Sequence, residues 1–424
     1  MYKRLIDNKM RISKKCLILL VALLVGQMMH AQVLTGIDVL QLNGFEELQG
    51  KRVGLVTNPS GVDRNVRSTI DILFEAPEVN LVALYGPEHG VRGDAYAGDV
   101  VEGSIDPKTG LPVFSLYGST REPTPEMLKG VDVMVYDIQD VGVRCYTFIS
   151  TLGLVMRACG KAGIEVLVLD RPNPLGGNKV EGPLVEDGYY SFVSQFHIPF
   201  VYGLTVGELA ALINEEGLNK GQKGDQEHIK CKLNVVAMRG WHRWMQFRDT
   251  GLPWILPSPN IPSMESAICY PSSGICGDYG YIHTGVGYTI PFQAFAMDWI
   301  DADALKARLD SYHLPGVVFR TIHYKPIAGY YSGKLVHGVQ FFFTDFEKAP
   351  VSLLQFYVMQ AVQELWPSHN PYPLKKTRTL DIVCGTDYVR VNFGKRLKVA
   401  DIQAYWNKDA DAFKALSRNY YLYD

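Results

Sequence analysis

The chain has 424 residues, 47% hydrophobic and 20% charged, with a formal charge of −2. This is ordinary globular composition, long enough for two domains, and its near-neutral balance argues against a nucleic-acid or polyanion binder. The 24 tyrosines and 6 tryptophans suit stacking on sugar rings and plain packing alike.

Lys3, Arg4, Lys9, Arg11, Lys14 and Lys15 precede the apolar run CLILLVALLVGQMM, and the small residue Ala31 follows. A basic region, an apolar region and a small residue placed for cleavage read as a signal peptide over residues 1–31, and so as an exported protein, periplasmic or secreted. The apolar run falls short of the roughly 20 residues of a membrane span. Cys16 precedes the run and so is not placed for lipid attachment. The other six cysteines show no zinc spacing; Cys269 and Cys276 lie close enough in sequence to pair, or are buried free thiols.

From residue 51, short runs rich in Val, Ile and Leu alternate with helical stretches. KRVGLVT precedes the helix-like DRNVRSTIDILFEA. VNLVALY and LPVFSLY follow, then a short helix over TPEMLKG with Thr124 as its cap. VDVMVYD leads into the helix-like YTFISTLGLVMRACGKAG, and IEVLVLD comes next. This pattern predicts an α/β fold: a Rossmann-like, mostly parallel sheet over 32–265 with helices on both faces, and a second, smaller α/β domain over 266–424. Within the first, LTVGELAALINEE reads as a helix with Thr205 and Glu208 in capping-box relation. The proline-rich stretch LPWILPSPNIPSMESAICYPSSG reads as a long ordered loop. PGVVFRTIHY and GVQFFFTD read as strands and SLLQFYVMQAVQELW as a helix.

In such a sheet, ligands bind beyond the carboxyl ends of the strands. Three polar segments fall there: GPEHGVRGD, DIQDVGVR and DRPNPLGG. Glu88 is the leading chemical candidate, a carboxyl group able to protonate a leaving-group oxygen if a partly desolvated cleft raises its pKa. His89 is placed to tune it, bind substrate or act as a base, and Arg92 to hold an anionic group. The plainer reading is a tight loop pinned by salt bridges. Asp137 directly ends a strand and is the best second carboxylate, or a structural acceptor. Gln139, Asp140 and Arg144 complete that cluster, although Asp140 and Arg144 are also spaced to pair with each other. Arg171 suits a two-pronged grip on a substrate carboxylate, or a pair with Asp137 or Asp170. Asn173 lies in the same rigid loop, and Asn260 is held between prolines. No GxGxxG follows the first strand, and neither HExxH nor GxSxG is present. Nothing in the pattern calls for a metal, a cofactor, a nucleic acid or a protein partner.

Taken together, YGPEHGVRG, TGLPVFSLYG, VMVYDIQDVGVRCYTFISTL, LDRPNPLGG, LTVGELA and TGLPW…PSPNIP resemble the bacterial family of exo-β-N-acetylmuramidases. The resemblance implies a Rossmann-like N-terminal domain, a smaller C-terminal α/β domain and a cleft between them. It implies removal of N-acetylmuramic acid from the non-reducing ends of peptidoglycan-derived disaccharides or muropeptides, with Glu88 catalytic. The lactyl carboxylate of that sugar would give Arg92, Arg144 or Arg171 a partner. One stretch departs from the pattern. Where the family is similar to FEGTNVSEGRGTTRPF, this chain reads GDYGYIHTGVGYTIPF, so that the two glutamates fall on Asp278 and Thr284 and two arginines on Val286 and Ile290. Tyr202 stands in place of a histidine before GLTVGE. These changes are expected to spare the fold and to bear on the substrate. Two rival readings stay open: a muropeptide- or glycan-binding protein without turnover, and a hydrolase of a different glycan.

Overall fold

The computed structural model of the chain describes residues 32–93, 104–217, 228–279, 281–370 and 377–424, apart from the side chains of 278, 279 and 377. The signal-peptide segment and the side chain of Asp278 lie outside the described residues.

The first unit contains α1 (Gly36–Leu42), β1 (Arg52–Thr57), α2 (Thr69–Glu75), β2 (Asn80–Gly86), β3 (Ser104–Ile105), β4 (Pro112–Ser115), β5 (Val133–Asp137), α3 (Phe148–Ala162), β6 (Glu165–Leu169), α4 (Val206–Glu216) and β7 (Leu233–Val236). Its sheet has the order β3-β4-β2-β1-β5-β6-β7, parallel throughout except for β3 against β4. Without β3, this is the doubly wound Rossmann order, which reverses direction between β1 and β5. Side chains alternate across β5: Val133 and Val135 pack under α1 and α2, whereas Met134 and Tyr136 pack under α3 and α4. With both faces covered, β5 and β6 are buried at every residue, which is why their sequences read as continuous apolar runs. At the start of α4 the expected capping box is present: Thr205 accepts from the Glu208 amide, and the Glu208 carboxylate accepts from the Thr205 amide.

The second unit contains α5 (Met264–Tyr279), β8 (Ala294–Met297), α6 (Ala302–Asp310), β9 (Val317–Tyr324), β10 (Val336–Phe343), α7 (Leu354–Leu365), α8 (Thr377–Cys384), α9 (Tyr388–Arg396), α10 (Gln403–Trp406) and α11 (Ala410–Ser417). Its antiparallel sheet runs β8-β10-β9. The loops that leave β5 and β6 contribute Val141, Val143 and Leu175 to its core, so that core extends into the first unit, whose own sheet faces carry separate apolar clusters. The chain then returns to the first unit: Phe413 packs with α3 and α4, and the Tyr423 hydroxyl donates to Asp170 at 2.6 Å.

Three local expectations differ from the structure. The stretch read as a loop becomes helical from Met264, with Pro271 inside α5. A proline there costs about 3 kcal/mol. Burying Ile268 and Ile275 recovers roughly 1.5–3 kcal/mol each, and the Ser272 and Ser273 hydroxyls donate to the carbonyls of Val351 and Phe292. Residues 125–130 form turns rather than a helix, although Thr124 Oγ1 still accepts from the Met127 amide. Of the segment DRNVRSTIDILFEA, only Thr69–Glu75 is helical. Cys269 and Cys276 are buried thiols not joined in a disulfide, as are the other four described cysteines.

Candidate active site

A cavity of about 430 Å³ lies where strand-end loops of the first unit face α5 and the segment that follows it. This is within the range of small-ligand sites, about 300–1,000 Å³. Glu88, His89, Tyr146, Ser258 and Asn260 line one wall. Tyr270, His283, Thr284, Val286 and Phe292 line the other, and Tyr330 stands at its edge.

The PEHG turn puts Glu88 there. His89 and Gly90, just beyond β2, both adopt left-handed backbone conformations, with φ of 76° and 72°. For histidine this conformation costs on the order of 1–2 kcal/mol, and such strain gathers at functional sites. The turn folds back on the strand end so closely that a Cβ on Gly86 would meet Gly90 Cα at 3.2 Å. Glu88 is half-buried and His89 almost wholly buried. Tyr117 is hydrogen-bonded to Glu88; burial first, and that bond second, raise the tyrosine pKa. The buried Tyr146 hydroxyl is also held protonated, by burial and then by the negative charge of Asp140, with Glu88 adding to both. Two neutral tyrosine hydroxyls therefore lie near the half-buried Glu88.

The other strand-end residues form a framework. Asp137, fully buried, accepts from Arg171 Nε at 2.5 Å and Nη2 at 2.9 Å, and from the Thr69 hydroxyl at 2.5 Å. Arg171 also donates to the Val62 carbonyl. Asp140 accepts from the Tyr202 hydroxyl and from the Gly142 amide. Burial pushes its pKa up to about 6, against the pull of those bonds. Gln139 bridges the carbonyls of Asp140 and Pro172. Asn173 donates to the Leu204 carbonyl and accepts from the Leu175 amide. Arg144, fully buried, donates to the carbonyls of Pro183, Ile198 and Val383, so it ties the two units together; burial lowers its pKa to about 10. Arg92 is paired with Asp106 at 2.5 Å and with Asp71 at 3.2 Å, and holds the Asp106 carboxyl down at about 2.

Of the residues singled out from the sequence, the structure brings Glu88, His89 and Asn260 together on the cavity. None of Asp137, Gln139, Asp140, Arg144, Arg171 and Asn173 lines it; Gln139 and Arg171 border a separate, much smaller pocket with Ser60 and Val62, and Arg92 is held by its two carboxylates. Among the described residues, no lysine or arginine lines the cavity and Glu88 is its one carboxylate. Among the described residues no group of three or more metal-type ligands occurs. Sequence reasoning did not single out Tyr117, Tyr146, Ser258 or His283. Tyr146 and Ser258 sit within the very motifs that attracted attention, but the residues beside them carried formal charge.

Two family profiles cover nearly the whole described chain. "Exo-beta-N-acetylmuramidase NamZ, N-terminal" matches residues 53–265, and "Exo-beta-N-acetylmuramidase NamZ, C-terminal" matches 268–423. The chain is 43% identical over 392 residues to the peptidoglycan beta-N-acetylmuramidase NamZ of Bacillus subtilis strain 168, covering 92% of each protein. A crystal structure of a DUF1343 family protein from Bacteroides fragilis superposes with a TM-score of 0.87 at 52% identity, covering 93% of this chain and 99% of that one. A second DUF1343 family protein from the same organism gives a TM-score of 0.73 at 28% identity, with the same coverage.

Proposed function

We propose that this chain, which belongs to the exo-beta-N-acetylmuramidase NamZ family, is an exo-acting glycoside hydrolase that releases N-acetylmuramic acid or a related amino sugar from the non-reducing ends of peptidoglycan fragments. The observation that carries this reading is Glu88. Among the described residues it is the one carboxylate of the cavity lining, in a chain similar over its length to a named peptidoglycan β-N-acetylmuramidase. In the proposed step Glu88 gives its proton to the glycosidic oxygen as the bond to the anomeric carbon breaks; water then adds its hydroxyl to that carbon and its remaining proton returns to the Glu88 carboxylate. Tyr117 orients the carboxyl group. Asp137 has both oxygens committed to Arg171 and Thr69, which supports a role in setting the geometry of the strand ends. Disaccharides or muropeptides with an accessible non-reducing end are the proposed substrates.

The test is release of free N-acetylmuramic acid from a MurNAc-GlcNAc disaccharide by wild type and Glu88→Gln. Release by wild type that falls at least about 100-fold in the variant supports the reading. Equal release by both removes Glu88 from the chemistry, and no release by folded wild type refutes the substrate.

Residues 1–31 are proposed as the export signal that takes the enzyme to this substrate. N-terminal sequencing of the mature protein is expected to begin at Gln32; an intact Met1 on the exported protein would refute cleavage there.

A further inference from the structure

The wall opposite Glu88 holds one buried polar group whose hydrogen-bonding capacity is half used. His283, 7% exposed, lines the cavity from the segment after α5. Its Nδ1 lies 2.7 Å from the Tyr324 hydroxyl and receives the Gly285 amide hydrogen at 3.1 Å. An amide N–H aimed at Nδ1 requires a lone pair there, which leaves the proton of the neutral ring on Nε2. Burial favours that neutral form by lowering the histidine pKa, with an opposing pull from the Val286 backbone. Nε2 itself is buried and has no hydrogen-bond partner. A buried donor left unpaired is costly, and one lining a cavity is a site that a ligand acceptor can satisfy.

The surroundings narrow the acceptor. Ile282, Val286 and Phe292 share this wall with His283, as do the hydroxyl-bearing Tyr270 and Thr284, and the described lining offers no lysine or arginine. Phe292 holds a left-handed backbone conformation at φ 66°, strain of the kind that gathers at functional sites. A neutral donor within an apolar surface matches a carbonyl oxygen carried next to a methyl group. We propose that His283 is a specificity-determining residue whose Nε2–H holds the acetamido carbonyl of the bound amino sugar while the adjoining apolar wall packs against its methyl group. The identity of the ligand as an amino sugar rests on the glycosidase reading; the assignment of the donor rests on the geometry of the ring.

Calorimetric titration of wild type, His283→Phe and His283→Gln with N-acetylmuramic acid and with muramic acid, which lacks the acetyl group, tests this directly. Turnover of the disaccharide is measured in parallel. Wild type is expected to favour the acetylated sugar by about tenfold or more. The phenylalanine variant should lose most of that preference, and the glutamine variant, which keeps an N–H donor, should recover part of it. In turnover, the loss should fall mainly on KM. An unchanged preference in a folded His283→Phe protein would overturn the proposal, as would a wild type that binds neither sugar. Wild type that discriminates between the sugars but releases none leaves the His283 assignment standing and removes the hydrolase reading. Turnover with unaltered discrimination in the variants does the reverse.

Discussion

The two walls of the cavity are built on opposite principles. The wall from the first unit rests on strand ends in which most charges are already engaged: Asp137 with Arg171, Asp140 with Tyr202, Arg144 with three carbonyls. The wall from the second unit is a helix and a loop in which glycines, apolar side chains and a neutral histidine face the same space. A largely engaged rim can hold Glu88 at a fixed place; Asp140 Oδ1 and Arg144 Nε are buried polar atoms in it without a partner among the described residues. The apolar wall excludes water and selects by shape and by single donors. On the roles proposed for Glu88 and His283, chemistry and selectivity fall to different halves of the chain.

If that division holds, substitutions on the rim and on the apolar wall should fail in different ways. The largest effect is expected from Glu88→Gln, which removes the proton but keeps the shape: turnover should fall by about 10²–10⁴-fold with sugar binding little changed. A matching loss of binding would mean that Glu88 holds the substrate as well as reacting with it, and the division would blur. Arg171→Met should act on the frame instead. It leaves Asp137 buried without its cation, and breaking such a pair costs about 3–5 kcal/mol, read as a lowered midpoint in urea unfolding. The double replacement Arg171→Met with Asp137→Leu should recover much of that loss. A single variant as stable as wild type would show that the pair is not holding the strand ends.

The same contrast explains what the sequence disclosed. Apolar runs such as VDVMVYD announce a parallel sheet because burial on both faces leaves no polar alternation, and the sheet in turn places the PEHG turn at a strand end. Glu88 was legible for that reason. The partners of Arg144 were not, since they are backbone carbonyls from residues 39, 54 and 239 positions away and every residue type offers a carbonyl. His283 was hidden for a related reason: the Gly285 contact that fixes its tautomer is local, but its partner Tyr324 is 41 residues on, and its significance is the unpaired nitrogen. The proline-rich stretch misled because the prolines at 257, 259 and 262 precede the helix, and the one inside it, Pro271, is carried by tertiary burial that local propensity does not contain.

The smallest effect, and the one that separates a framework carboxylate from a reacting one, is expected at Asp140. Burial raises its folded-state pKa to about 6, while in the unfolded chain it titrates near the ordinary aspartate value of about 4. Between those two pH values the folded protein holds a proton that the unfolded chain has released. Its contribution to stability is therefore fully present below about pH 4 and is lost as pH rises through about 6. Asp140→Asn removes that titration while keeping an acceptor for Tyr202. The stability of wild type minus that of the variant should then fall as pH rises across this window and be flat above it, by about 1–3 kcal/mol in all. Urea unfolding at intervals from pH 4 to 7 reads the difference and cancels the carboxylates common to both proteins, including Asp106, whose lowered pKa acts in the opposite sense. A difference that does not change with pH would mean that Asp140 is ionised in the folded state well below pH 6. The rim behind Glu88 would then carry a standing negative charge, favouring the protonated acid by repulsion rather than through a neutral, hydrogen-bonded frame.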